Sequence, residues 1–269
     1  MTALTIAGSD SGGGAGIQAD IRSFNAFSVH ATTALTAVTA QNTRGVFDVV
    51  ALSADIVESQ IRVVHDDFQV KAVKTGMLAR AATVERVSRL AREGLLPRLV
   101  VDPVLVSTSG DVLMEEGGVE AYRRDLFPLA EVITPNLREA AILCGVNITD
   151  VVTIDDVEQL AHLLLLMGPR YVLVKGGHFH EATPGSDAPD LLLSAEGLTV
   201  FDAPRVDTKN DHGTGCSLSS AIAAGLALGR SVTDATRDAK SFVLAALTSA
   251  STWRLGEGRG PIDHLGWGE

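Results

Sequence analysis

The chain has 269 residues, of which 46% are hydrophobic and 20% charged, and its formal net charge is −11. This apolar composition excludes disorder for most of the chain, because burial of these side chains can offset the entropy lost on folding. The acidic balance argues against nucleic acid or an anionic membrane as the main partner, since both require clustered Lys and Arg.

The cellular location is predicted from the cysteines and from the apolar segments. Cys144 and Cys216 are the two cysteines, too few for a disulfide framework. No basic region or cleavage site precedes the first strand-like residues at Leu4, so we expect no signal peptide. Polar residues interrupt every apolar stretch before it reaches membrane-spanning length. We therefore expect a cytoplasmic protein with no membrane or nucleic-acid partner.

Short β-rich runs alternate with helical patterns along the chain. The predicted strands are Leu4–Ala7, Ala34–Thr39, Ala72–Lys74, Leu99–Val101, Val132–Thr134, Tyr171–Val174, Leu191–Ser194 and Leu198–Phe201. The predicted helices are Ile17–Phe27, Val57–Asp66, Thr83–Glu93, Leu137–Leu143, Ile154–Met167, Ser217–Leu228 and Val232–Ala250.

This alternation predicts an α/β fold with a mostly parallel central sheet and helices on both faces. The strands are continuously apolar, as expected when both faces of a sheet are covered. The last two predicted strands flank a short turn at residues 195–197 and indicate an antiparallel hairpin at the sheet edge. No repeat or linker divides the chain, so we expect one domain over residues 1–269.

A glycine-rich turn follows the first predicted strand. Five glycines lie between Gly8 and Gly16, and such a turn lets a ligand approach backbone N–H groups at a helix start. The spacing of Gly14, Gly16 and Ala19 also satisfies a relaxed dinucleotide fingerprint. No acidic residue lies in the following strand region from Leu35 to Gln41, which disfavours a nicotinamide cofactor. A plain tight turn remains the structural alternative.

A second turn, His212-Gly213-Thr214-Gly215-Cys216, leads into a helix of small residues. A Gly-x-Gly step aims unpaired N–H groups and the positive end of the helix dipole at one point, where a phosphoryl group would be stabilised. We expect this position to lower the pKa of the Cys216 thiol. The alternatives are an ordinary glycine-rich helix cap and a buried structural thiol.

Three further groups follow predicted strands, where ligands bind in sheets of this type. Asp102 and Glu139 are carboxylates that could hold Mg²⁺ through water, although Asn136 and Glu139 also match a helix capping box. Lys175 supplies an ammonium that could reach phosphate. His178 and His180 have no third ligand nearby in sequence, so we interpret them as solvated loop histidines.

These motifs, in this order, resemble the ribokinase-like superfamily of small-molecule kinases, and within it the hydroxymethylpyrimidine/phosphomethylpyrimidine kinases of thiamine biosynthesis. The resemblance covers nearly the whole chain and rests on seven segments. They are residues 7–20, 36–43, 74–78, 102–104, 134–136, 175–178 and 208–216.

The resemblance implies a three-layer sandwich and an enzyme that uses ATP and Mg²⁺. It would phosphorylate the hydroxymethyl group of the pyrimidine and then the resulting monophosphate. The implied pyrimidine-binding residues are Gly8, Asp20, Gln41, Met77 and Val104. The implied nucleotide, phosphate and metal residues are Asn136, Lys175, Gly213, Thr214, Gly215, Asp102 and Glu139. The family usually forms homodimers.

Cys216 occupies the position where most of the wider superfamily has an Asp as general base, and we assign it as the base or activator of the substrate hydroxyl. Three other residues depart from the pattern of the kinase family. Ser217 and Asp211 replace the usual Thr, and Arg259 replaces an expected His. Two alternatives remain open, namely a pyridoxal or pyridoxine kinase of the same subfamily and a non-catalytic pyrimidine sensor.

Overall fold

The computed structural model describes residues 1–106, 113–176 and 189–267. The strands are β1 (Thr2–Asp10), β2 (His30–Asn42), β3 (Gly45–Ala51), β4 (Val70–Thr75), β5 (Leu99–Val101), β6 (Val132–Ile133), β7 (Tyr171–Val174), β8 (Asp190–Ser194) and β9 (Gly197–Phe201). The helices are α1 (Gly16–Ala26), α2 (Ala54–Asp67), α3 (Ala81–Arg92), α4 (Gly118–Ala121), α5 (Leu137–Cys144), α6 (Ile154–Leu165), α7 (Thr214–Ala227) and α8 (Val232–Ala250).

The strands form one sheet in the order β3-β2-β1-β4-β5-β6-β7-β8-β9. The pairings from β2 through β7 are all parallel. The hairpin of β8 and β9 is antiparallel, which confirms the prediction for this edge. At the other edge β3 pairs antiparallel with β2, and this strand is absent from the predicted elements.

Two apolar layers cover the sheet, because consecutive residues of each central strand point to opposite faces. Val101 and Ile133 belong to the core under α2–α6, whereas their neighbours Val100 and Val132 belong to the core under α1, α7 and α8. The resulting arrangement of helices, sheet and helices confirms the predicted three-layer α/β sandwich.

Two differences from the predicted boundaries, at β2 and α7, bear on the candidate site. The predicted strand Ala34–Thr39 is the middle of a strand of 13 residues, whose end carries Gln41. The predicted helix at Ser217 begins three residues earlier, at Thr214. The second glycine-rich turn is therefore the first turn of α7 itself, with Gly213 as its N-cap.

Candidate active site

The turn between β1 and α1 folds around the carboxylate of Asp10. One carboxylate oxygen accepts a hydrogen bond from Gly12 N (2.8 Å), and the other accepts bonds from Gly14 N (3.0 Å) and Ala15 N (2.9 Å). These amides are therefore occupied by the chain's own carboxylate, contrary to the expectation that they would be open to a ligand. Asp10 thus fixes the shape of this turn.

His212 connects this turn to Gln41, which was predicted to bind the substrate. Its Nε2 lies 3.0 Å from Asp10 Oδ2 and 3.3 Å from Gln41 Nε2. The other end of the Gln41 amide accepts a hydrogen bond of 3.1 Å from Thr39 Oγ1. The structure therefore holds Gln41 at the carboxyl end of β2, beside the residue that precedes the second glycine-rich turn.

The two glycine-rich turns are in direct backbone contact. Gly213 has a φ of +87°, and a Cβ added to it would lie 1.8 Å from the carbonyl oxygen of Gly14. A left-handed conformation and a contact this close both require glycine. Because of this contact, the N-terminus of α7 cannot shift without moving the β1–α1 turn.

Lys175 lies against the first turn of α7. A Cβ added to Gly215 would be only 3.1 Å from Lys175 Nζ. Lys175 Nζ also forms an ion pair with the buried Asp102 carboxylate at 2.9 Å. The first-turn amides of a helix have no partner within the helix, and the dipole adds partial positive charge. Amides and ammonium together form a site suited to phosphate.

Asp102 is held in place by hydrogen bonds from both sides. Its carboxylate accepts from Thr134 Oγ1 at 3.3 Å and from Ser219 Oγ of α7 at 3.2 Å. Burial opposes ionisation of Asp102, but Lys175 and Lys74 outweigh it and lower the pKa of the carboxyl. Asp102 is therefore a buried anion at the carboxyl end of β5.

Glu139 forms the predicted capping box with Asn136. Glu139 Oε2 accepts from Asn136 N at 2.8 Å, and Asn136 Oδ1 accepts from Glu139 N at 2.9 Å. Burial, reinforced by the negative charge of Asp102, raises the pKa of Glu139 to about 7, while Lys175 opposes the shift. The capping role is confirmed. The predicted nucleotide role of Asn136 stays a prediction.

Magnesium binding was predicted at Asp102 and Glu139. Within the described ranges, no group of three or more His, Cys, Asp or Glu side chains could hold a metal ion by itself. The two residues nevertheless fit Mg²⁺, because this ion commonly binds through one or two carboxylates, water and substrate phosphates. Burial is the main cause of the raised pKa of Glu139, and a nearby cation would favour the ionised carboxylate that binds metal.

The Cys216 thiol differs from its prediction. It is half-buried in the first turn of α7. Burial raises the pKa of the thiol to about 11, although the positive charge of Lys74 acts in the opposite direction. The expectation of a lowered pKa from the helix N-terminus is therefore wrong, since desolvation outweighs both favourable influences. At neutral pH the thiol is protonated.

Asp20 lies beneath the site and not at its surface. It is fully buried and pairs with the equally buried Lys74, whose Nζ is 2.8 Å from Oδ1 and 3.0 Å from Oδ2. Thr5 and Ser220 donate further hydrogen bonds to the two carboxylate oxygens. Because these groups occupy both oxygens, the predicted substrate role of Asp20 finds no support in its geometry.

The remaining residues predicted to bind the pyrimidine lie near the carboxyl ends of neighbouring strands. A Cβ added to Gly8 would be 2.5 Å from the Met77 methyl carbon, so the methionine lies directly over the glycine. Val104 is half-buried in the segment after β5. Of the other motif residues, Gly177, His178 and His180 lie outside the residues that the structure describes.

Sequence reasoning missed Lys74, Ser219 and His264 as parts of this region. Lys74 carried a signal, since it is the charged last residue of the otherwise apolar predicted strand Ala72–Lys74. Such a residue is buried only when it is paired. Ser219 and His264 carried no signal, because their partners lie 117 and 47 residues away in sequence.

The fold, with a site suited to phosphate at the carboxyl ends of the central strands, is that of a ribokinase-like small-molecule kinase. A solved pyridoxal kinase from Bacillus subtilis, in complex with ADP, superimposes with a TM-score of 0.87 at 36% identity, over 98% of this chain and 96% of that one. A solved phosphomethylpyrimidine kinase from Clostridium difficile gives a TM-score of 0.78 at 38% identity, over 92% and 99% of the two chains.

Sequence comparison specifies the family. The phosphomethylpyrimidine kinase family model matches residues 10–263. A hydroxymethylpyrimidine/phosphomethylpyrimidine kinase from Rhizobium meliloti is 48% identical over 266 residues, which cover 98% of this chain and 96% of the relative. The chain belongs to the phosphomethylpyrimidine kinase family.

Among the described residues, no helix combines the length and the apolar character needed to cross a bilayer.

Proposed function

We propose that this protein is an ATP-dependent kinase that phosphorylates 4-amino-5-hydroxymethyl-2-methylpyrimidine and then its monophosphate, in thiamine biosynthesis. The observation that carries the proposal is the placement of Lys175 against the first turn of α7. Lys175 and this helix turn would bind the phosphate together. The N-cap of the helix, Gly213, follows His212, which contacts Gln41, the residue expected to recognise the pyrimidine.

Gln41 suits an aminopyrimidine edge. Its amide presents a donor and an acceptor side by side, matching the amino group and ring nitrogen of the substrate. Thr39 already orients the amide oxygen. Met77 over Gly8 would supply an apolar wall for the ring. The substrate hydroxymethyl group would then point toward α7.

Phosphoryl transfer needs positioning and charge stabilisation more than covalent assistance from the protein. The substrate hydroxyl oxygen forms a bond to the γ-phosphorus of ATP, the bond to the β,γ-bridging oxygen breaks, and ADP leaves. The first-turn amides of α7 and the Lys175 ammonium stabilise charge on the transferring group. Cys216 is proposed to receive the hydroxyl proton in the minor fraction of molecules whose thiol has first lost its own proton to solvent.

Mg²⁺ would neutralise charge on the nucleotide phosphates, and Asp102 and Glu139 would hold it. Lys175 pairs with the Asp102 carboxylate at 2.9 Å. Asn136 would keep Glu139 oriented through the capping box. Thr214, the first residue of α7, is proposed to contact phosphate together with Gly213 and Gly215.

A mass-resolved assay tests the function. The protein is incubated with ATP, Mg²⁺ and hydroxymethylpyrimidine, and the product is analysed for added phosphate. We expect products heavier by one and then two phosphoryl groups. ATP consumption that does not depend on the alcohol would overturn the proposal, and so would binding of the pyrimidine without any consumption, which is the outcome expected of a sensor.

Pyridoxal phosphorylation is the second candidate. It is favoured by the similarity to the Bacillus subtilis pyridoxal kinase, with a TM-score of 0.87. Side-by-side turnover of both alcohols decides between them. A Gln41→Leu variant should reduce turnover of the aminopyrimidine more than that of pyridoxal, because only the former needs the paired donor and acceptor.

Three broader expectations belong to the same proposal. The kinase would form one domain over residues 1–269, act in the cytoplasm and assemble as a homodimer. The exposed apolar side chains of the β2–β3 edge, Val38, Phe47, Val49 and Val50, support the last of these, since a second copy could cover them. The net charge of −11 supports the expectation that nucleic acid is not a partner.

A further inference from the structure

Residues 256–265, which we call the strap, follow α8 and bind two segments of the site. Gly258 N donates to Thr43 Oγ1 (3.1 Å) and Arg259 N to Thr43 O (2.9 Å), in the turn that joins β2 to β3. On its other side the strap accepts a hydrogen bond of 3.0 Å from His212 N to Gly260 O. The strap therefore connects the Gln41 end of β2 to His212, the residue before the Gly213–Cys216 turn that is proposed to bind phosphate.

The strap also reaches the first turn of α7 through one buried side-chain contact. His264 Nε2 lies 2.7 Å from Ser217 Oγ. Ser217 is fully buried, and its Oγ lies within hydrogen-bond distance of Gly213 O at 2.8 Å. A single hydroxyl therefore connects the strap to the N-cap of the helix that we propose to bind phosphate.

His264 is an uncharged partner in this contact. Burial, with the positive charge of Arg22, lowers the pKa of the imidazole to about 4. The neutral ring packs near Phe242, with ring centroids 6.2 Å apart. Asp263 anchors the same segment to α8, because its backbone N donates to Ala246 O at 3.1 Å and its carboxylate accepts from Ser249 Oγ at 2.6 Å. Asp263 and Phe242 thus fix the position of the imidazole next to α8.

A second contact between the strap and the same turn involves two residues that depart from the family pattern. The guanidinium of Arg259 pairs with the carboxylate of Asp211, and its Nε lies 2.7 Å from Asp211 Oδ1. The negative charge that Asp211 adds beside the phosphate-binding turn is therefore balanced from the strap. The strap therefore contacts the chain on both sides of the Gly213–Cys216 turn, at Asp211 and at Ser217.

We propose that His264 is a positioning residue for phosphoryl transfer, holding the Gly213–Cys216 turn through Ser217 in the geometry that faces the transferring phosphate. The proposal rests on the proposed kinase function. Amides stabilise a transition state only when they are aligned before the reaction, and a displacement of about 1 Å can cost a large factor in rate. Loss of the contact should therefore lower kcat more than it weakens pyrimidine binding.

Matched variants test this role. Ser217→Ala removes the shared hydroxyl, and His264→Phe removes its imidazole partner while keeping a ring beside Phe242. We expect each variant to lower kcat about 10-fold, with the KM for the pyrimidine within about twofold of wild type. The double variant should be no slower than the slower single variant, because both changes break the same contact. Ser217→Thr, which keeps a hydroxyl at this position, should restore kcat to within about threefold.

Ser88→Ala is the control for loss of a buried serine. Ser88 is fully buried in α3, and its hydroxyl donates to the carbonyl four residues earlier, Val84 O, at 2.7 Å. It thus repeats the local bond of Ser217 without a strap contact. We expect Ser88→Ala to change the melting temperature and leave kcat unchanged.

The outcomes separate the two proposals. If the wild type is active and the Ser217 and His264 variants have a lower melting temperature but an unchanged kcat, as expected of Ser88→Ala, the positioning role is overturned. The kinase function then stands. Multiplicative losses in the double variant would also overturn it. If the wild type phosphorylates no alcohol, the kinase function fails and the positioning role fails with it.

Discussion

At Cys216, burial and the helix N-terminus act on the same thiol in opposite directions. Burial prevails and raises the pKa of the thiol to about 11. A thiolate is then a minor species at neutral pH, and its fraction grows about tenfold with each unit by which the pH rises toward 11. A general base in this state contributes more as the pH rises.

Replacement of Cys216 tests its proposed role as a base. We expect Cys216→Ala to lower kcat by at least about 100-fold, the usual range for a general base, with unchanged Kd for ATP and pyrimidine. In the wild type, kcat should increase between pH 7 and pH 10. In the variant the profile should be flat. Equal turnover of the two proteins would show that Cys216 has no role in the mechanism. The α7 amides would then be the main contribution to catalysis.

The raised pKa of Glu139 gives a stability prediction with a definite sign. A carboxyl whose pKa rises from 4.5 in the unfolded chain to about 7 binds its proton more tightly when folded. Its ionisation therefore costs stability as the pH rises through about 7. Gln keeps the capping geometry without ionising, because a capping box accepts Gln as well as Glu.

We therefore expect Glu139→Gln to melt at a higher temperature than wild type at pH 8.5 and at a similar temperature at pH 5. In turnover assays the same variant should need about tenfold more Mg²⁺, since it removes a negative charge from the proposed metal site. Calorimetry at the two pH values and a Mg²⁺ titration measure both effects. An unaltered Mg²⁺ titration would limit Glu139 to its capping role.

Among the elements, α7 matters most to the site, because its N-cap contacts the β1–α1 turn. Gly213 and Gly229 lie at opposite ends of this helix with nearly the same φ, +87° and +86°. A Cβ on Gly213 would meet Gly14 O at 1.8 Å, whereas a Cβ on Gly229 has nothing within 4 Å. The two glycines separate conformational strain from steric conflict.

We expect Gly229→Ala to lose about 1 kcal/mol of stability, the strain of a left-handed alanine, and to keep wild-type kcat. Gly213→Ala adds a steric conflict that only a shift of α7 or of the β1–α1 turn can relieve, so its kcat should fall at least about 100-fold. Chemical denaturation and steady-state kinetics provide the two readouts. Similar kinetics in both variants would show that contact between the turns is not needed.

The sequence predicted elements well where local periodicity sufficed and less well where long-range pairing decided. The parallel strands and the β8–β9 hairpin could be predicted because their apolar runs are bounded by turns. β3 was missed because its exposed, partly apolar residues show no strand pattern by themselves. They form a strand because β2 extends to Asn42 and pairs with them. Likewise, Gln41 and Cys216 were found from motifs, but the Asp20–Lys74 pair depends on contacts 54 residues apart in sequence.

For the whole molecule, the β2–β3 edge supports the proposed homodimer. Phe47 and Val50 are 69% and 61% exposed on this edge, and Leu166 is 84% exposed elsewhere on the surface. Large exposed apolar side chains that cluster indicate an interaction surface, whereas single ones are ordinary. The clustered and the isolated residues therefore allow a matched comparison.

Light scattering after size exclusion tests the assembly. We expect the wild type to have twice the mass of the chain and a Phe47→Glu/Val50→Glu variant to have the mass of one chain. Leu166→Glu should remain dimeric. A monomeric wild type, or a double variant that stays dimeric, would contradict the proposed interface.

The backbone contact between Gly14 and Gly213 also bears on how such enzymes diverge. Neither Gly14 nor Gly213 has room for a side chain, so mutation can scarcely change these two positions. New preferences must then arise from residues proposed to face the ring of the alcohol, such as Gln41 and Met77. We therefore expect a change of substrate to need replacements at such positions and to leave Gly14 and Gly213 in place.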